Sequence, residues 1–438
     1  MAQFGAIVIL AVTVGLSLSR PSLGRLRVQP AAAALLGAAL TVGSGLLSPR
    51  EAVEVLEFLT MPVLTIVSLM IITIIVSHTG FFRLLAWKLA VRGGGDARKL
   101  FAYLFFAGTI TGTLFTNDAA VLIFTPMVYG LLEEIRRPSW TPANAVPFYF
   151  AVLYVANLAG ALVISNPINI IMTGWFEIGF VEYALWMMGP AIVSMVVTYV
   201  GLRIFFRNDL PLRYNIPQAV AHDPTQRTFR WLSGGVLCVT LVGFFTETLT
   251  GIPTGFVAAG GALLLMGVYW AFAGRPVAGV ILEVGWDAVI FVIGIFMVAN
   301  GLRTTGLTDT VGSLLMTAAS TGEGFGNYAA GFVAGVSSAV MNNHPTASTM
   351  ALAIGDLPLP ELSAKIMALS ALIGGDLGPK MLPIGSLAAL LWFRILRSKG
   401  VEISYRQYIR LGVPVTLAAI LLSVAMLNFE YWLFQRFG

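Results

Sequence analysis

Thr111-Gly112-Thr113-Leu114-Phe115-Thr116-Asn117-Asp118-Ala119-Ala120 puts polar side chains at the centre of an apolar segment, and Met341-Asn342-Asn343-His344-Pro345-Thr346 does the same 226 positions later. Asn, Asp and His are costly inside a hydrocarbon layer. Polar interruptions that recur at one offset therefore mark a repeated site where a membrane protein handles its substrate.

The composition fits that reading. The 438 residues are 57% hydrophobic and only 11% charged, with a mean hydropathy of +0.85. That is too little polar surface for a soluble globule of this size, and the runs of roughly 17–25 apolar residues suit a ~30 Å hydrocarbon core. No β-barrel alternation is present, so the chain reads as an all-α polytopic membrane protein. The first run, Gly5 to Leu18, has no Lys or Arg before it and Arg20, Arg25 and Arg27 after it. A secretory signal has the opposite charge order, so this run reads as a permanent span. The net charge of +5 falls between apolar runs and reports topology, not nucleic-acid binding. The single cysteine, Cys238, excludes a disulfide or a thiolate zinc or iron-sulfur site within one chain; no metal site and no cofactor are expected.

Ten full spans are predicted, near 5–19, 29–47, 57–78, 146–177, 181–206, 230–248, 254–272, 284–303, 362–393 and 406–432. Segments 101–136 and 326–355 are broken centrally by the two polar tripeptides. Each arm of ~15 residues covers only ~22 Å as a helix, so both read as re-entrant hairpins. With both termini outside, only Arg50, Arg303, Lys365 and Arg436 of the 26 Lys and Arg face outward, and Lys380 lies within a span. This asymmetry supports the layout. The nine tryptophans fall near segment ends and read as interfacial anchors.

The repeat extends further. Leu56-Glu57 recurs as Leu282-Glu283 and Gly80 as Gly306, while Tyr183 and Pro190 answer to Tyr408 and Pro414. The halves are 1–206 and 230–438, joined by a cytoplasmic linker over 207–229. Five full spans in each half put the second upside down relative to the first, the inverted-topology repeat of a secondary transporter. Spans 146–177 and 362–393 are discontinuous: Ser165-Asn166-Pro167-Ile168-Asn169 interrupts one, and Gly374-Gly375-Asp376-Leu377-Gly378-Pro379-Lys380 with Pro383-Ile384-Gly385-Ser386 the other. Proline and glycine there free carbonyls and amides for a ligand.

The candidate substrate groups are thus Thr116 and Asn117 in one hairpin, Asn342 and Asn343 in the other, and Ser165, Asn169 and Ser386 at the breaks. Asp118, His344, Asp376 and Lys380 are candidates for proton coupling, because each titrates or compensates charge where lipid exposure would cost roughly 2.5–3.5 kcal/mol for an acid or lysine. Asp376 and Lys380 stand four apart and pair if that turn is helical; Pro379 opposes this. His78 reads as a cap or interfacial residue, Cys238 as packing, and Gly93-Gly94-Gly95 as a hinge, since no strand precedes it.

At TNDAAVLIFTP (116–126), SNPINI (165–170), MNNHPT (341–346) and GGDLGPKMLPIGSLAALLW (374–392), the chain resembles the ArsB arsenite efflux family of the ion-transporter superfamily. The resemblance covers essentially the whole chain, and the last stretch is the most specific. It implies proton-driven efflux of trivalent arsenic and antimony across a bacterial or archaeal cytoplasmic membrane, conferring arsenical resistance. It also implies an optional soluble ATPase of the ArsA type and an elevator-like transport domain moving against a scaffold. Carried over by position, it points to Asn117, Asp118, Asn343, His344, Ser165, Asn169, Asp376 and Ser386. Some relatives carry cysteine where this chain has Gly375.

Chemistry agrees with a site that lacks thiolates. Trivalent arsenic prefers three of them, and one cysteine cannot supply three. Arsenite at neutral pH is mainly an uncharged trihydroxide, which amide and hydroxyl side chains and hairpin backbone groups can recognise. Asp118 is the first candidate proton carrier, and Asp376 with Lys380 the competitor. The alternative is a sodium/proton or carboxylate transporter of the same superfamily, although Asp118 would repel an anion. An intramembrane enzyme lacks a nucleophile motif, and a passive anchor for an ATPase leaves the paired polar tips unexplained.

Overall fold

Apolar residues cover the outward faces of the long helices as well as the inward ones: Leu185, Val239 and Leu263 are 73%, 66% and 68% exposed. Such helices need lipid outside and packed neighbours inside. The computed structural model describes residues 2–23, 26–115, 117–218, 224–274, 276–303 and 305–437. It is all-helical apart from a two-residue ribbon, Ser22–Leu23 against Leu26–Arg27.

The first half runs through α1 (Ala2–Ser19), α2 (Pro30–Gly43), α3 (Pro49–His78) and the short α4 (Phe81–Arg92). A helix pair follows, α5 (Ala97–Leu114) and α6 (Asn117–Ile135). Then come α7 (Val146–Val155), an unwound stretch with a 3₁₀ turn at Val163–Ser165, α8 (Pro167–Trp175) and α9 (Phe180–Phe205). The second half repeats the order with α10 (Pro224–Phe245), the short α11 (Glu247–Thr250), α12 (Thr254–Ala273), the short α13 (Ala278–Glu283), α14 (Trp286–Arg303) and α15 (Leu307–Ser320). Its helix pair is α16 (Phe325–Met341) and α17 (Asn343–Gly355). Its broken element is α18 (Glu361–Leu377), 3₁₀ turns at Gly378–Lys380 and Pro383–Gly385, and α19 (Leu387–Ser398). The last helix is α20 (Tyr405–Phe437).

Local geometry matches across the halves. Gly80 (φ 71°) starts α4 and Gly306 (φ 74°) starts α15, each in the left-handed region where glycine carries no Cβ penalty. Leu162 (φ −125°) and Leu382 (φ −127°) open the 3₁₀ turns of the two breaks, and Asn166 and Ser386 cap the helices that follow. The packing matches as well: α2 lies on α14 as α12 lies on α3, and α6 on α19 as α17 on α8.

Among the described residues, six helices are long and apolar enough to cross a membrane alone: α3, α9, α10, α12, α14 and α20. α2 is shorter than the span expected over 29–47. It ends at Gly43, where Ser44 caps it and Gly45 (φ 75°) turns the chain, so its 14 residues reach about 21 Å. α3 begins sharply, because Ser48 and Glu51 form a reciprocal capping box with Pro49 at the first helical position.

Two side-chain expectations change. Trp392 is no interfacial anchor; it is fully buried against Phe150 and Phe393. Cys238 is exposed on α10 and does not pack in the protein interior.

Close helix approach positions the second break. A Cβ on Gly374 would collide with the backbone of Gly331 and lie 2.8 Å from Gly335 N, and one on Gly378 would lie 3.0 Å from Gly335 Cα. Small residues let α16 and α18 meet backbone to backbone, as at many helix contacts in membranes. Ser338 on α16 reinforces the contact by donating to Gly375 O at 2.9 Å, one residue before Asp376.

Candidate functional site

Prolines create the two breaks that the site occupies. Pro167 cannot donate to the turn before it, and Pro379 and Pro383 do the same in the second half, so 156–166 and 378–386 leave the helical ladder. Unwound backbone in a bilayer must line protein or a cavity. Residues 156–166 are all buried.

Asp376, at the end of α18, is 1% exposed and joins the breaks. Its Oδ2 accepts from Gly160 N at 3.1 Å, in the unwound part of the first half. Its Oδ1 accepts from Asn166 Nδ2 at 2.5 Å. Asn166 turns its own Oδ1 to Ile168 N (3.3 Å), capping α8. A carboxylate from one half is thus held by an amide and a backbone N–H from the other. Tyr183 fixes the first break by donating to Gly160 O at 3.0 Å, and its counterpart Tyr408 fixes the second by donating to Pro379 O at 3.2 Å.

Ser165 and Asn169 stand beside this bridge. Asn169 Nδ2 donates to Ser165 Oγ at 3.2 Å, and Ser165 donates to Leu162 O at 2.8 Å. Asn169 Oδ1 is buried without a hydrogen-bond partner, an acceptor left free for a donor such as a ligand hydroxyl. An apolar cavity of about 330 Å³ between α5, α9 and the first break reaches Gly160 and Ser165.

The expected pairing of Asp376 with Lys380 is not formed. Pro379 diverts the chain into a 3₁₀ turn, and Lys380 Nζ, fully buried, has no hydrogen-bond partner. It lies instead 5.4 Å from the centre of the Tyr154 ring, a cation–π distance, and Tyr154 Oη also lacks a partner. Lys380 is a counter-charge four residues from the acid with no acceptor of its own.

At the second helix pair, Asn342 takes a positive φ of 81°. Its Oδ1 meets His344 N at 3.2 Å and His344 Nδ1 at 3.1 Å. His344 rests edge-on against Phe291 of α14, ring centres 5.8 Å apart, and shares no hydrogen bond with the Asp376 cluster. Asn343 is partly exposed and its side chain makes no hydrogen bond among the described residues, so it remains free to bind. Ser386 accepts from Ala389 N at 3.3 Å as a helix cap. Thr116 and the side chains of Asn117 and Asp118 lie outside the described residues; the backbone of the latter two opens α6.

The structure therefore gathers Asp376, Ser165 and Asn169 at one point with Lys380 near it, and holds Asn342, Asn343 and His344 on a separate turn. Asn166, Gly160, Tyr183 and Tyr154 also shape the site. Asn166 stood inside the Ser-Asn-Pro-Ile-Asn run, and Tyr183 was marked by its repeat partner. Gly160 contributes a backbone N–H, which no residue type announces.

The arsenical pump membrane protein family, ArsB, has a model that matches residues 6–433. The arsenical pump membrane protein of Escherichia coli is 34% identical over 400 residues, covering 90% of this chain and 92% of that one. A putative arsenical pump membrane protein of Bacillus subtilis is 24% identical, covering 92% and 95%. Among solved structures, the Alcanivorax borkumensis YdaH transporter aligns with a TM-score of 0.60 at 14% identity, covering 97% of this chain and 96% of its own. Neisseria gonorrhoeae MtrF aligns with a TM-score of 0.58 at 10% identity, covering 98% and 94%. These two likenesses concern the fold.

Proposed function

This chain belongs to the ArsB arsenical pump membrane protein family and is a membrane transporter, and from that premise we propose that it exports trivalent arsenic, as arsenite, and antimonite in exchange for protons. The observation that carries the proposal is the Asp376 bridge: a buried carboxylate from one half held by Gly160 and Asn166 of the other. The only cysteine faces outward on α10, so recognition falls to oxygen and nitrogen groups. A neutral trihydroxide offers three hydroxyls, each both donor and acceptor. Asn169 Oδ1, Ser165, Asn343 and Ser386, with Thr116, Asn117 and Asn342 at the turns, supply the complementary set.

Proton coupling requires a group whose charge changes with the side the site faces. Asp376 meets that need, since protonation weakens its hold on Gly160 N and Asn166 and so loosens one half from the other. Lys380 supplies a counter-charge when the proton leaves. Asp118 is the second candidate, and His344 a relay at the other turn. Both termini lie outside, the halves 1–206 and 230–438 are inverted with 207–229 inside, and the helix pairs and broken helices move against α3, α14 and their neighbours. An ArsA-type ATPase is an optional partner of the inner face.

Everted membrane vesicles test the substrate. Proton-driven accumulation of arsenite, with none of sodium or citrate, is expected. Accumulation of sodium or citrate without arsenite would transfer the chain to the exchanger or carboxylate reading.

A further inference from the structure

Away from the transport site, the loop between α4 and α5 and the linker after α9 build a cationic pocket. Arg92, Arg98, Lys99 and Arg213 line a cavity of about 500 Å³ with Gly93, Gly94 and Leu212. Among the described residues none of these four side chains makes an ion pair. Asp96 lines the same cavity and turns its Oδ1 to Arg98 N (2.9 Å) and Lys99 N (3.1 Å) to cap α5, so four cationic side chains stand against one carboxylate.

The pocket is held in shape. Gly94 (φ 59°) and Gly95 (φ 83°) form a turn that the linker clasps, with Tyr214 N donating to Gly95 O at 2.9 Å, Ala97 N donating to Leu212 O at 3.2 Å, and Tyr214 Oη bonded to Ala90 O. The glycine run is thus a pinned turn and not the hinge expected of it. Two tryptophans grip the same linker: Trp140 Nε1 donates to Arg213 O at 2.9 Å and Trp87 Nε1 to Gln218 O at 2.6 Å. Indoles with one polar edge mark the headgroup level of a bilayer. Leu212 and Ile216, 68% and 56% exposed, stand on either side of Arg213 as apolar side chains at that depth.

Unpaired cations at headgroup depth, with apolar side chains beside them, match the two ends of one molecule. We propose that this pocket binds the phosphate headgroup of an anionic phospholipid, with Leu212 and Ile216 against its acyl chains. The site is independent of the transported substrate and of the proton route.

Native mass spectrometry of the full chain in detergent, titrated with phosphatidylglycerol, phosphatidylcholine or inorganic phosphate, tests it. Wild type is expected to retain phosphatidylglycerol over phosphatidylcholine. Arg213→Gln should weaken that retention roughly fivefold and Arg98→Gln with Lys99→Gln roughly 25-fold, while Arg397→Gln, on α19, should leave it unchanged. Because these exposed residues contribute little to packing, a matching circular dichroism melt identifies the variants as folded. No preference for phosphatidylglycerol, or equal retention by the variants, would overturn the proposal. Displacement of the lipid by millimolar inorganic phosphate would reassign the pocket to a soluble anion.

Discussion

At the residue scale the proposed chemistry centres on one carboxylate, Asp376, and its partners define what substitution should do. Asn166→Ala removes a hydrogen bond to a buried acid, at a stability cost of about 1.5–3 kcal/mol. Thermal unfolding should register the loss, and arsenite transport should fall with it; unchanged melting and transport would remove Asn166 from the site. Cys238→Ser should leave transport intact, since the thiol faces outward. Gly375→Cys should fold, because a Cβ there meets only Ile168 Cδ1 at 3.3 Å. It would place a thiol beside Asp376, and a thiolate-free mechanism expects no gain in transport from it. Asp376, Ser165 and Asn169 were legible in the sequence because polar residues in apolar runs stand out. Gly160 was not, since its contribution is a backbone N–H. The pairing of Asp376 with Lys380 was conditional on a helical turn, and the 3₁₀ turn at Pro379 does not meet that condition.

Helix breaks and helix contacts decide where those residues sit. Gly374→Val would force α18 away from α16, since even a Cβ meets Gly331 and Gly335 backbone. Overpacking of this kind costs roughly 1–3 kcal/mol or more, and lower yield with a lower melting temperature is expected; a neutral outcome would show that the helices can separate freely. Tyr183→Phe and Tyr408→Phe each release one carbonyl at a break. Each should reduce transport with little effect on expression, read by comparing uptake at matched protein level. The breaks themselves were visible in sequence as proline and glycine inside apolar runs. The early end of α2 was not, because Gly43 and Gly45 lie in a run whose hydropathy continues past them.

Across the whole molecule, the matched halves exchange partners, α2 on α14 and α12 on α3, as expected of two repeats built around a shared site. The offset of the two polar tripeptides pointed to a repeat, whereas the packing of α2 on α14 and α12 on α3 depends on three-dimensional contacts. Arg303 at the end of α14 and Asp356 beyond α17 form an exposed two-pronged ion pair across the boundary along which the helix pair is proposed to move. In a Cys238→Ser background, Arg303→Cys with Asp356→Cys joined by a reducible bifunctional thiol reagent should stop transport and recover on reduction; full transport while cross-linked would rule out that motion. The most direct test of the central claim uses proteoliposomes carrying Asp376→Asn. The protein is expected to lose proton-driven uphill arsenite transport and the accompanying internal pH change, yet keep arsenite exchange down its own gradient. Uphill transport and proton movement at the wild-type rate in Asp376→Asn would contradict the account and pass the role to Asp118.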